Sequence, residues 1–291
     1  MNEKYYIGQK GTGQASSRSI VFLYIALVLI CALFLIPLCW MIVTSFKTSY
    51  QTYNQPSIFW PHPWTLQNFI EIFSNTPMLI FIKNSIIVTL FSIVGTVFST
   101  TLAGYGFGRL EWKGRDVVFM IVLAAMMIPS QSIMIPQYLV FQKFHLINTL
   151  FPLIIPNWLA ASTKGAFYIF TIRQFIMSIP HDIDEAAKID GCGYMKIYSL
   201  IILPLLKPAI GAVVVFSFIE NWNNFLGALI YLNEESKFTL PIGIQYFQTQ
   251  NFIDWNKVMG ASLISVIPAI IVLFIGQKFL IKGVNLSASK G

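Results

Sequence analysis

The sequence predicts an all-α integral membrane protein with six transmembrane helices and both termini cytoplasmic. Three observations lead there: the composition, the spacing of apolar runs, and the placing of basic residues. Of 291 residues, 56% are hydrophobic and 11% charged, and the mean hydropathy is +0.67. Soluble domains carry roughly 25% charged residues. A water-soluble enzyme of this size is therefore excluded, and so is a disordered chain, which needs low hydrophobicity.

A membrane helix needs about 20 apolar residues to cross roughly 30 Å of hydrocarbon. Such runs occur at 20–43, 85–107, 117–140, 149–172, 208–232 and 258–281. The first follows a tail bearing Lys4, Lys10 and Arg18, as a signal peptide does. Its apolar stretch is too long for one, and Pro37-Leu38-Cys39-Trp40 offers no small-residue cleavage site, so it reads as an uncleaved span. The third run holds Pro129 and Pro136 around Ser130-Gln131-Ser132 and is expected to be kinked or broken. Freed backbone groups are tolerated at that depth only against protein or a watery cavity.

Basic residues set the orientation. With the N-terminus inside, thirteen of them are inside, among them Arg109, Lys113, Arg115, Arg173, Lys188, Lys196, Lys207 and Lys278. Five are outside (Lys47, Lys83, Lys143, Lys237 and Lys257), and Lys164 falls within the fourth run. This asymmetry accounts for the net charge of +7 without nucleic acid as a partner. The chain divides into a cytoplasmic tail 1–19, a six-span domain 20–283 and a cytoplasmic tail 284–291. The outer segment 44–84 carries Trp60-Pro61-His62-Pro63-Trp64, a composition suited to the headgroup level.

Little in the chain supports covalent chemistry. Gly8-Gln9-Lys10-Gly11-Thr12-Gly13 lacks the Lys-Ser/Thr of a phosphate-binding loop. Gly104 and Gly108 suit close helix packing better than a dinucleotide fingerprint. His62, His145 and His181 all fall in loops, and Cys31, Cys39 and Cys192 have no metal-ligand spacing, so no catalytic residue and no metal site is expected.

The cytoplasmic loop at about 173–207 is different. Pro180 followed by Asp182 and Asp184 makes a helix start favoured by the macrodipole. Glu185-Ala186-Ala187-Lys188 continues it, and Gly191 suits the stop. A short helix at the membrane surface, with small alanines and charges at Glu185 and Asp190, is shaped to dock a partner.

Glu185-Ala186-Ala187, Gly191, Ile201 and Leu203-Pro204 resemble, at every spacing, the EAA loop of binding-protein-dependent ABC importer permeases. Lys83-Asn84-Ser85, Gly104-Tyr105-Gly106-Phe107-Gly108-Arg109-Leu110, Asn148-Thr149-Leu150, Trp222-Asn223 and Thr239-Leu240-Pro241-Ile242-Gly243 extend the resemblance to the carbohydrate, maltose-type branch. The resemblance covers roughly residues 20 to 283. It implies the type I permease fold in a prokaryotic plasma (inner) membrane, and a set of partners. These are a second homologous permease, two cytoplasmic ATPase subunits that bind the ATP and Mg, and an extracytoplasmic sugar-binding protein. It also implies ATPase coupling through Glu185, Ala186, Ala187, Asp190, Gly191 and Pro204. Cys192 departs from the family's usual Ala, and Gly-Ala-Val is missing before the final Lys290-Gly291.

Charge inside a span is costly and usually faces a cavity. Ser217, Glu220, Asn224 and Gly227 recur at helical steps, so this face is expected to line a sugar pathway, with Trp222 offering stacking surface and Asn223 hydrogen bonds. Lys164 is expected to pair with Glu220 or line the cavity, where it would favour an acidic sugar. Gln245, Gln248, Asn251 and Asp254, in the outer segment before the last span, are expected to meet the binding protein. A glycerol-phosphate importer is the near alternative. An ion-coupled carrier, using Glu220 as its ion site, leaves the EAA loop unexplained.

Overall fold

The computed structural model describes residues 17–248 and 253–288, so the tail segment 8–13, Lys290 and Asn251 lie outside the described residues. Three helices are long and apolar enough to cross a membrane: α1 (Ser17–Ser45), α4 (Met78–Gly108) and α15 (Trp255–Ala288). Two further pairs are bent, and counting each as one span gives up to five among the described residues. Between α1 and α4 lie two short helices, α2 (Ser49–Asn54) and α3 (Gln67–Asn75).

The third expected span is broken. Helices α5 (Arg115–Ala125) and α6 (Ser130–Lys143) meet at 99°, with Pro129 immediately before α6. Proline disfavours helical geometry in the residue before it, which localises the break.

The fourth expected span needs correction. It consists of α7 (Phe151–Trp158) and α8 (Gly165–Ser178), separated by residues 159–164. Ala160 adopts a left-handed φ of 51°, and the chain then folds so tightly that a Cβ on Gly165 would lie 1.9 Å from the Ala160 carbonyl oxygen. Lys164 therefore stands in a break, immediately before α8, and not in mid-helix.

Beyond α9 (Asp182–Ile189) come α10 (Tyr194–Lys196), a π-helical turn at Ile197–Ile202 and α11 (Leu203–Leu205). This arm meets α12 (Lys207–Trp222) at 75°, with Pro208 in the first turn of α12. The fifth expected span is interrupted again at Asn223 and Asn224. There the Asn224 side chain accepts a hydrogen bond from the Gly227 N–H (3.0 Å) and starts α13 (Phe225–Tyr231). Helix α14 (Leu240–Gln245) precedes α15.

Helix α4 is the axis of the bundle and packs against α7, α8 and α12. Its 31 residues extend about 46 Å at 1.5 Å per residue, more than the hydrocarbon core. One end joins an apolar cluster of Tyr105, Tyr168, Ile172, Ile176, Ala187 and Ile202. The other end, with Met78 and Phe81, joins Ile72, Leu240 and Val258. Close approach of α4 to α8 depends on the two glycines singled out in the sequence. A Cβ on Gly104 would lie 2.5 Å from Ile172, and one on Gly108 2.9 Å from Ile176.

The polar residues of the resembling motifs act as stitches. Asn84 Nδ2 donates to the carbonyls of Ser236 (3.1 Å) and Phe238 (2.9 Å), and Ser85 Oγ accepts from the Leu240 N–H (2.7 Å). Asn148, at a left-handed φ of 63°, accepts from the N–H groups of Asn233 and Glu234.

Candidate functional site: an exposed helix and a polar cavity

Helix α9 carries Asp182, Asp184 and Glu185 in its first turn, where carboxylates meet the positive end of the dipole. It ends as the sequence predicts. The Cys192 N–H donates to the Ala187 carbonyl (2.9 Å) and the Gly191 N–H to that of Lys188 (3.0 Å), while Gly191 takes a φ of +80°. This double bond pattern closes a helix on a left-handed residue, a conformation that favours glycine. Cys192 packs half-buried against the same cluster as Ala187, as a small apolar side chain would.

The two faces of α9 differ. Asp184 and Ala187 point inward and are buried. Glu185, Ala186, Lys188 and Asp190 are exposed, as are Gly191 and Pro204. Ile189 is 87% exposed, followed by Tyr194, Met195 and Leu200, each at least 60% exposed. Exposed apolar side chains gathered beside polar ones mark surfaces that meet a partner.

The inward face is held by an ion pair that the sequence does not reveal. Arg109, just beyond α4, places Nε 3.0 Å from the Asp184 carboxylate, with both side chains nearly fully buried. Its Nη2 also donates to the Ile179 carbonyl at 2.8 Å. Arg109 stands in the Gly104–Leu110 motif and among the inside basic residues, but nothing local in the sequence names Asp184 as its partner.

A polar cavity of 230 Å³ opens among α6, α7, α12 and the 159–164 break. Glu220, Asn224 and Gly227 line it, as the helical spacing predicts, together with Lys164. Glu220 Oε2 accepts from the Tyr168 hydroxyl (2.7 Å), and Lys164 lines the same cavity. Gln137, Asn157 and Asn221 also line the cavity; sequence reading missed them. Asn157 Nδ2 donates to Ser92 Oγ (3.1 Å) and Asn221 Oδ1 (3.2 Å), so the wall is a buried network across three helices.

Three expected pathway residues are placed elsewhere. Ser217 is buried behind the wall, donating to Thr96 Oγ1 at 3.3 Å. Trp222 turns the other way, stacks on Phe218 and donates Nε1–H to the Ser265 carbonyl at 2.9 Å. A helix advances 3.6 residues per turn, which carries position 222 from the cavity to the α15 side. Asn223 is exposed and donates to the Ile219 carbonyl (2.8 Å).

Near the start of α15, Gln245 and Gln248 are exposed. Asp254 is not free for a partner. Its carboxylate lies 3.0 Å from Lys257 Nζ and accepts weakly from the Lys257 N–H (3.4 Å), starting α15. Lys257 in turn reaches Glu71 at 2.8 Å.

A family model described as the binding-protein-dependent transport system inner membrane component matches residues 100–285. The probable ABC transporter permease protein YurM of Bacillus subtilis is 31% identical over 288 residues, covering 99% of this chain and 91% of that protein. The trehalose/maltose transport system permease protein MalG of Thermococcus litoralis is 34% identical over 275 residues, covering 93% and 97%. A crystal structure of a bacterial ABC transporter that imports the acidic polysaccharide alginate matches with a TM-score of 0.76. That match covers 91% of this chain and 97% of that one at 24% identity, and carries the fold alone. With the family model spanning more than half of the chain and such relatives matching along nearly all of it, this multi-pass membrane protein belongs to the binding-protein-dependent transport system inner membrane components.

Proposed function

We propose that the chain is one permease subunit of an ATP-driven importer of a carbohydrate, an oligosaccharide handed over by an extracytoplasmic binding protein. The observation that carries this reading is the two-faced α9. Its inner face is clamped to α4 by Arg109–Asp184, and its outer face presents Glu185, Ala186 and exposed apolar side chains. A push on the outer face is thereby delivered to the axis of the bundle. The π-helical turn and the 75° bend that follow give the arm a natural hinge, since such turns concentrate at functional positions.

The excess of basic residues on the α9 side supports a cytoplasmic position for that helix, where two ATPase subunits would bind the ATP and Mg. A second, homologous permease completes the pathway. The cavity on this chain, at 230 Å³, is smaller than the roughly 300–1,000 Å³ of ligand pockets, so an oligosaccharide needs a further wall. The names of the relatives, MalG among them, favour sugar over glycerol phosphate.

The test is to purify the tagged chain from native membranes in mild detergent and identify what accompanies it. An ATPase, a second permease and a sugar-binding protein are expected. Glu185→Lys is expected to lose the ATPase and keep the second permease. Transport by the chain alone, without ATP, would overturn the reading.

A further inference from the structure

Far from α9, beyond the other end of α1, Lys47 is buried with only 1% of its surface exposed. Its backbone carbonyl accepts from Asn68 Nδ2 (2.8 Å) and from Asn256, which fixes the residue in place. The ammonium lies 4.6 Å from the centre of the Trp40 ring and donates weakly to the Pro56 carbonyl at 3.4 Å. No carboxylate pairs with it among the described residues; the acids of this region are engaged by Lys257. Burial alone pushes the Lys47 pKa down.

The ammonium lies beside a cavity of 470 Å³ between α1, α2 and α15, walled by Trp40, Tyr53 and Trp255. Two more polar groups line the same space. Thr44 Oγ1 and Thr52 Oγ1 are buried and have no hydrogen-bond partner. Thr100, Thr101 and Thr171, in other helices, each donate to the carbonyl four residues back. A buried cation and two buried hydroxyls without acceptors are each unfavourable. A single anion with several oxygens would satisfy all three.

We propose that this pocket holds the phosphate of a membrane phospholipid. The route to it is α1, whose apolar side chains are open along its length, with Leu33 65% and Phe34 76% exposed. Trp40 and Trp255 stand partly exposed at the mouth, and tryptophan favours the level where headgroups lie. A phospholipid at that level puts its acyl chains along α1 and its phosphate beside Lys47. The proposal is independent of the role given to α9.

The experiment is native mass spectrometry of the purified full complex in neutral detergent with phosphatidylglycerol added. Wild type is expected to retain the lipid. Lys47→Met is expected to retain about tenfold less, as loss of a charge-assisted contact predicts. Thr44→Val/Thr52→Val, which keeps the charge, is expected to fall in the same direction, and Lys83→Met to match wild type. If Lys47→Met fails to assemble, the double threonine variant decides. Equal retention in wild type and the assembled variants would overturn the proposal. Displacement of the lipid by a soluble oligouronate or inorganic phosphate would overturn it too, since the site would then take a soluble anion.

Discussion

Arg109 and Asp184 face each other across a 3.0 Å gap, one just past the end of α4 and the other inside α9. Glu185, next to Asp184, faces outward, so a single turn of helix holds an anchor at Asp184 and a contact surface at Glu185. Removing one partner of a buried pair costs about 3–5 kcal/mol, because the other charge is left uncompensated. Arg109→Met is expected to lower the melting temperature of the purified chain and to abolish sugar-stimulated ATP hydrolysis in the assembled complex. Arg109→Met/Asp184→Leu is expected to regain most of the stability without the coupling. A double variant as unstable as the single would remove the pair from the account.

Gly191 closes α9 at a φ of +80°, where a β-branched residue costs about 1–2 kcal/mol. Gly191→Val is expected to fray the end of α9 and weaken ATPase recovery in a pull-down. Gly193→Ala is the control, since Gly193 has an ordinary φ of −75° and open space around it.

Helix contact predicts a contrast within one short stretch of α4. Gly104→Val places side-chain atoms against Ile172 and is expected to reduce the yield of folded chain in membranes by an overpacking cost of about 1–3 kcal/mol. A Cβ on Gly106 meets nothing within 4 Å, so Gly106→Ala is expected to be neutral or mildly stabilising.

Behind the cavity, Tyr168 donates its hydroxyl to the Glu220 carboxylate at 2.7 Å. Tyr168→Phe is expected to cost about 1 kcal/mol of transport-competent geometry, read as a severalfold loss of sugar uptake with assembly intact. Lys164→Met is expected to reduce uptake of uronic oligosaccharides more than of neutral ones. Equal effects on both would remove the acidic-sugar role of Lys164.

Glu71 supplies a pH test away from the membrane core. The Lys257 hydrogen bond, then that of Gln67, holds its carboxyl below the usual carboxylate range. A lowered folded-state pKa contributes stability above the unfolded value and loses it as pH falls through the folded one. The stability advantage of wild type over Glu71→Gln is therefore expected at neutral pH and to shrink from about pH 4 downward. An advantage unchanged by acid would show that the pairing contributes nothing.

Membrane character, the first span and the broken third run were legible in the sequence, because length, hydropathy and proline act locally. The boundaries of α9 were legible for the same reason: Pro180, the first-turn acids and Gly191 are start and stop signals that need no neighbours. The Ser217–Asn224 stripe was half legible. Helical spacing put Glu220 and Asn224 on the cavity side, but only packing decided that Ser217 sits behind its wall and that Trp222 packs toward α15. The break at 159–164 was hidden because Ala160 and Gly165 carry no sign of the fold-back until their backbones meet. Arg109–Asp184, the Asn157 network and the buried Lys47 were invisible for one shared reason. Each joins groups far apart in the chain, and burial, which gives such contacts their strength, exists only once the helices have packed.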